Sequence, residues 1–573
     1  MRSFFRFGLV VTAVGAVGTF FPANANACGG FFCNSAQPAN QVNQAAEGIV
    51  FADNGDGTTT AVIQIQYQGP TQNFSWLLPI SSVPKSDADI GIASNLALQR
   101  LQAATNPLYT LTVRVEGTCG ELRSGGSGCG AASADSAPAN APRGVTIDPS
   151  HPEVVVEATG VVGAFEWTVI SLDKTLSDPA VAAESWLKKN GYDVPSSAPA
   201  LLGPYLKQGL FLLALRLTKD ADSGSIRPIV LTYAGAPSIP IKLTAVAAND
   251  DMGVLAWILG PSRAVPKNYL SLELNEARIN WFNAPSNYNS VVIEAADDAG
   301  GQGFVTELAG PTSALSRTIW TTLDESNWST LNQTSGSSTG SAFFQQAFQL
   351  FGQWDGFWDA TRAVVTLADG QSFDSLKACP SCYSIQLSPQ DYLKQLASQV
   401  IEPVKRVQQL IDAHPRITRL YTTLSADEMT LDPLFGFNPD LPNVSNLHNA
   451  QRVIACSPNV SQFSAPWRIE LPQGGVVWGS ADQAASGVWP SELSTLPPNR
   501  TIARAAESGE GKVIEDNSAT IESQLAHYNS GKSSAAEEGG GCTTGRGRAA
   551  GAWLAVALVG GTLIGRRRRM QSR

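Results

Sequence analysis

Three consecutive stretches decide the fold: Gly48-Ile49-Val50-Phe51-Ala52, then Asp53-Asn54-Gly55-Asp56-Gly57, then Thr58-Thr59-Thr60-Ala61-Val62-Ile63-Gln64-Ile65-Gln66-Tyr67. Two runs rich in β-branched and aromatic residues flank an Asn-Gly and an Asp-Gly, the dipeptides that tolerate the backbone of a tight turn. The stretch therefore predicts a β-hairpin. Its acidic turn also offers oxygens to calcium, but an EF-hand loop needs further ligands and a Glu at its twelfth position. Neither is present, so the acids read as turn formers.

Working outward, residues 74–80 form an apolar run ending near Pro79, and residues 108–117 alternate as a strand. Residues 154–156, 165–170, 210–218, 229–233, 239–245 and 254–259 add further strands. Residues 88–104 predict a helix stopped by Asn106-Pro107. Asp178-Pro179 opens another, with Trp186 and Leu187 inward, Lys188-Lys189 in the last turn and Asn190-Gly191 as the stop. The expectation is an α+β protein. A strand-rich domain with a few helices spans 28–310, and a mixed α/β region spans 311–529. In that region residues 342–367 are crowded with aromatics. The clearest helix covers 389–413, with Leu393, Leu396, Val400, Val404, Val407 and Ile411 on one stripe and Pro403 predicted to kink it. The polar run over 505–541 reads as a spacer that lifts the body off the surface, with 311–529 as the mixed region and 530–541 as the spacer between it and the C-terminal tag.

The chain has 573 residues, 15% of them charged, 43% apolar, and a formal charge of −10. That is enough apolar content for sizeable cores and too little charge for general disorder. The two ends read as addresses. Arg2 and Arg6 precede an apolar run over 7–21, and Ala25-Asn26-Ala27 is a small-x-small cleavage site, which makes residues 1–27 a signal peptide and Cys28 the first mature residue. Lipidation of Cys28 is the alternative to ordinary cleavage. At the other end, Gly541-Cys542 leads to an uncharged apolar segment over 549–565 and then to Arg566, Arg567, Arg568 and Arg569. As a helix the segment spans roughly 26 Å, the short limit for crossing a bilayer. The arginines would stay cytoplasmic, leaving the body outside. This series, over 542–573, resembles the Myxo-type sorting tag of myxobacterial surface proteins. The resemblance implies export machinery and a sorting protease acting near Cys542 as partners, and a place at the cell surface or outer envelope. A permanent single span is the other reading. Removing the two leader arginines and the seven beyond Cys542 leaves 30 basic residues against 49 acidic, a charge of −19. Such a body is a poor partner for nucleic acid, which needs a basic face.

Outside the cytosol, close cysteines are read as disulfides. The candidates are Cys28 with Cys33, Cys119 with Cys129, and Cys379 with Cys382, while Cys456 could instead pair with a member of the last couple. Cys379-Pro380-Ser381-Cys382 also has the form of a redox motif, and with Cys456 and a histidine it could hold zinc. An extended segment rather than a helix follows it, which favours a structural bridge.

Cys28-Gly29-Gly30-Phe31-Phe32-Cys33, the hairpin ending at Tyr67, Phe74-Ser75-Trp76-Leu77-Leu78-Pro79, Trp186 through Tyr192, and Ile239 through Ala245 occur in that order. Together they resemble the bacterial family filed as domain of unknown function 2330, over most of 28–310. Similarity to long, surface-tagged relatives continues through Leu420-Tyr421-Thr422-Thr423 and Phe437-Asn438-Pro439-Asp440. The resemblance implies an exported protein and supplies no catalytic residue.

No short motif carries chemistry. His151, His414, His448 and His527 are scattered, and Gly336 to Gly340 matches G-x-S-x-G only within a Ser/Thr-rich run with no strand before it. Asp250-Asp251 and Asp297-Asp298 are acidic pairs in loops. Trp354 and Trp358, spaced i, i+4, are candidates for an aromatic platform that stacks on a sugar ring or a protein surface, core packing being the alternative. The sequence leads to no catalytic residue, no metal ligand and no cofactor. The expected function is binding, adhesion or envelope architecture by a surface-anchored protein, with a surface glycan or protein as ligand. A surface hydrolase of peptide or polysaccharide, and an extracytoplasmic thiol-disulfide protein, are the alternatives.

Overall fold

In the computed structural model, the described residues are 44–532 except 66–74, 86–88, 120–152, 174, 193, 195–196, 219–225, 246–247, 284–285, 368–370, 384 and 531. The predicted hairpin is formed by strands Gln44–Asp53 and Thr58–Ile65, paired antiparallel from Glu47↔Ile65 to Asp53↔Thr59. It lies inside a ten-stranded mixed sheet rather than at an edge. From one edge the order is Lys512–Asp516, Asn499–Arg504, Leu270–Leu274, Gly303–Pro311, Arg416–Leu424, Ala248–Gly260, the hairpin's two strands, Ile229–Ala234 and Ile90–Ile92.

A strand buried on both faces loses the polar alternation of a half-exposed one. Here the alternation sorts apolar residues instead. Ile49, Phe51, Ala61 and Ile63 face a second, four-stranded sheet (Ser75–Ile80, Phe211–Leu217, Phe165–Leu172 and Val154–Val162, in that order), meeting Trp76, Leu78 and Ile80. Val50, Ala52 and Val62 face helices and pack with Leu98, Leu101, Phe343, Val400 and Val407. The outer face of the second sheet is covered in turn by helices Pro179–Lys189 and Ala198–Lys207, through Trp186, Leu187, Leu202 and Leu206. The architecture is thus helix, sheet, sheet, helix. At the far end of the large sheet, helix Tyr288–Asp298 and a smaller four-stranded sheet enclose another core around Trp281 and Trp467.

The α+β class and the strand-rich N-terminal part hold as read. Several details differ. Residues 239–245, read as a strand, are a helical turn at Ile241–Thr244 whose Ile241 and Leu243 are buried. The polar run beyond 505 is not all spacer. Lys512–Asp516 pairs with Asn499–Arg504, and helix Ser518–Asn529 buries Ile521 and Leu525. The boundary drawn at 310 does not separate two sheets, because Arg416–Leu424 is inserted between Ala248–Gly260 and Gly303–Pro311.

Candidate functional site

A cavity of about 180 Å³ opens between the two large sheets. Its floor is a cross-strand row in register, Phe51↔Ala61 and Ala61↔Leu231, with Ile49 and Ile63 beside it. Its roof is Leu78, Pro79 and Ile80. The void follows from the sequence at one point: Ala61 is fully buried where its row neighbours are Phe and Leu, and its single methyl leaves space between the sheets. Pro79 is tolerated in the roof because Ser75–Ile80 is an edge strand, where a missing N–H costs no ladder bond on the open side.

The mouth is polar. The Tyr205 hydroxyl donates to Asp432 Oδ2 at 2.7 Å. Asp432 also accepts the Lys242 backbone N–H at 3.1 Å, and the Lys242 ammonium lies 3.3 Å away and over the Tyr205 ring. Ser238 donates to the Pro433 carbonyl at 3.0 Å, and Ser81 donates to the Ala234 carbonyl. Burial pushes the Tyr233 phenol well above its ordinary range, against the weaker opposing effect of the Ser238 backbone. Apolar walls with a few convergent polar groups are the general form of a small-molecule site.

None of these mouth residues was singled out from sequence. One signal was readable: Ala198, Leu202, Tyr205 and Leu206 repeat at helical spacing and are buried together, which places Tyr205 on the inner face of its helix. Asp432 lies more than two hundred residues from Tyr205, and no local pattern connects them.

Of the residues predicted for function, Ala25, Ala27, Cys28, Cys33, Cys129, Cys542 and Arg566 to Arg569 lie outside the described residues, as does the apolar segment 549–565. Among the described residues no helix is long and apolar enough to cross a membrane. Cys379 bonds to Cys382. That bridge follows the short helix Phe373–Ala378, with Cys379 at its C-terminal cap, where the helix dipole disfavours the thiolate a redox catalyst needs. Cys119 does not bond to Cys129; it bonds to Cys456, with Cα atoms 4.8 Å apart. The cause is parallel pairing of Leu108–Glu116 with Leu447–Ala455, which carries both chains off the sheet together at Glu116↔Ala455. Gly117, at φ 81°, makes the turn, and a Cβ there would lie 2.5 Å from the Cys456 carbonyl.

Trp354 and Trp358 do not share a helix face. Gly356, at φ 84°, breaks the chain between helices Gly340–Phe351 and Phe357–Arg362. Trp354 meets Trp320 and Phe351 edge-on with Arg100 over its ring, and Trp358 packs against Phe344 and Phe348. Both serve the helical core, half-buried. In the hairpin turn, Asp53 accepts the Gly55 N–H and Asp56 accepts the backbone N–H and hydroxyl of Thr58, so these carboxylates shape the turn. The Gly336 to Gly340 segment joins two helices. His448 Nδ1 lies 2.6 Å from Glu276 Oε1 and its ring stacks on Tyr109.

No curated protein and no solved structure matches the chain. A family described as "Uncharacterized protein conserved in bacteria (DUF2330)" matches residues 22–318, the part that contributes the hairpin, both walls of the cavity and most of its mouth. That match covers more than half of the chain, and the protein belongs to the DUF2330 family.

Proposed function

We propose that this is an exported, surface-anchored binding protein whose recognition element is the cavity between the two large sheets. One observation carries the binding reading: an apolar cavity floored and roofed by paired strands, with Ser81, Tyr205, Ser238 and Asp432 among its lining. Rigid walls lose little conformational freedom when a ligand enters, which favours binding. The size fits a single ring or a short branched chain, since an engineered apolar cavity of about 150 Å³ accepts benzene. Export and anchoring rest on the leader and the C-terminal series of Cys542, apolar segment and arginines. The Cys119–Cys456 bridge is in keeping with an oxidising compartment.

The test is uptake of toluene by the purified full chain. Toluene should raise the unfolding temperature with increasing concentration, because a ligand that binds only the folded state stabilises it by mass action. Ala61→Leu fills the void and should abolish the rise, and Ala61→Val serves if the larger residue overpacks. An unchanged unfolding temperature in the parent, or an equal rise in the filled variants, would refute the cavity as the site.

A further inference from the structure

The hydrogen-bond inventory at the mouth of the cavity limits what kind of head group can sit there. A hydroxyl has one hydrogen to give and two lone pairs to receive. Tyr205 gives its hydrogen to Asp432, Ser238 gives its to the Pro433 carbonyl, and Ser81 gives its to the Ala234 carbonyl. Carbonyl oxygens cannot donate in return, so these three hydroxyls present only lone pairs to a guest. Tyr233 is the opposite case. Its hydroxyl lines the same cavity and gives its hydrogen to no group among the described residues, so that hydrogen is available to a guest. The nearby cation does not alter this balance: the Lys242 ammonium is held by Asp432 and lies 5.4 Å above the Tyr205 ring.

We propose that the cavity selects neutral hydroxylated apolar molecules, phenols or short branched alcohols, over carboxylic acids and over plain hydrocarbons of the same size. The inference rests on the binding reading of the same cavity and adds the head group. A guest hydroxyl donates to Tyr205, Ser238 or Ser81 and accepts from Tyr233, matching both kinds of capacity at once. A carboxylate brings only lone pairs, to hydroxyls that already present lone pairs and beside an Asp432 whose counter-charge, Lys242, is already engaged. A hydrocarbon fills the apolar part and makes neither of these hydrogen bonds.

Three probes sharing one ring size separate these cases: p-cresol, toluene and 4-methylbenzoate, titrated calorimetrically into the full chain. The expected order is p-cresol tighter than toluene by about tenfold, the worth of one good hydrogen bond, with 4-methylbenzoate weakest. Tyr233→Phe and Tyr205→Phe should each lose most of the advantage of p-cresol over toluene, read as the ratio of the two affinities within each variant. Equal affinity for toluene and p-cresol, or preference for 4-methylbenzoate, overturns the head-group inference while the cavity remains a binding site. Failure of all three probes to bind overturns the binding reading itself.

Discussion

Burial, and then the charges of Asp297, Asp427 and Asp251, hold the Glu428 carboxyl above the usual carboxylate range, against the pull of the Ser425 backbone N–H. Asp297 is raised as well, by its own burial and by Asp251 and Glu294. Between the unfolded carboxylate range and these raised values the folded chain binds more protons than the unfolded one. Stability therefore falls as pH rises through that window and is recovered on acidification. Glu428→Gln should stabilise the protein at pH 7 by about 0.5 kcal/mol, solvent screening the rest. The gain should vanish near pH 4, where the parent side chain is itself neutral. Thermal unfolding at the two pH values reads this directly, and a variant less stable than the parent at pH 7 would contradict it. The sequence showed Asp250-Asp251 and Asp297-Asp298 as separate loop pairs. That Asp251, Asp297 and Glu428 come together follows from strand Ala248–Gly260 running beside strand Arg416–Leu424, against which helix Tyr288–Asp298 packs, a meeting of segments far apart in the chain.

At the scale of elements, the helix at 389–413 shows how a legible kink is resolved. Pro403 has no N–H to give to the carbonyl of Gln399, four residues back, and its ring crowds that carbonyl. The chain answers with a π-helical turn, Ala397–Ile401, between helices Pro389–Leu396 and Glu402–Ala413. The freed Gln399 carbonyl accepts from Arg227, whose other guanidinium nitrogen bonds the Gln399 side chain at 2.8 Å. Arg227 is 2% exposed, so its guanidinium depends on protein partners such as this carbonyl. Gly356 is needed beside it, since a Cβ there would lie 2.2 Å from the same oxygen. Arg227→Met should cost about 1–3 kcal/mol, the price of a buried carbonyl left without a donor. Chemical denaturation measures it, and a loss below a few tenths would show the carbonyl satisfied elsewhere. An interruption of the helix was readable from Pro403, whereas its partner was not, because Arg227 stands before a different strand in the other half of the chain. A second contact of this kind crosses the large sheet. Register shifts between Thr306 and Leu308, and the intervening Glu307 pairs with Arg419 on the neighbouring strand. Tyr288 also donates to Glu307, while Arg419 donates to Thr105.

At the scale of the whole molecule, the large sheet takes strands from both halves of the chain, so neither half holds all of it. The Cys119–Cys456 bridge ties them further, across 337 residues. Non-reducing peptide mapping should recover the Cys119–Cys456 link, and a Cys119–Cys129 peptide in its place would overturn the pairing. In the chain-entropy account, closing so long a loop restricts the unfolded state more than a short one would, so Cys456→Ala should destabilise by several kcal/mol, up to about 5. The anchoring proposal is tested in cells. Cys542→Ala should leave the protein in the exporting membrane and remove it from surface labelling, and unchanged labelling would refute a sorting role for this cysteine.

The sequence by itself determined the local elements: the hairpin with its Asp-rich turn, the capped helix at Pro179–Lys189, the proline-kinked helix, the α+β class and the family. Each depends on residues a few positions apart, where turn chemistry, capping and side-chain period act directly. Tertiary structure alone decided that the hairpin lies within a ten-stranded sheet, that Cys119 meets Cys456, and that Ala61 leaves a void whose mouth gathers Tyr205, Tyr233, Ser238 and Asp432. Those outcomes depend on which strands pair and in what register. Pairing is set by burying two apolar faces at once, a condition on the whole chain that no single stretch expresses.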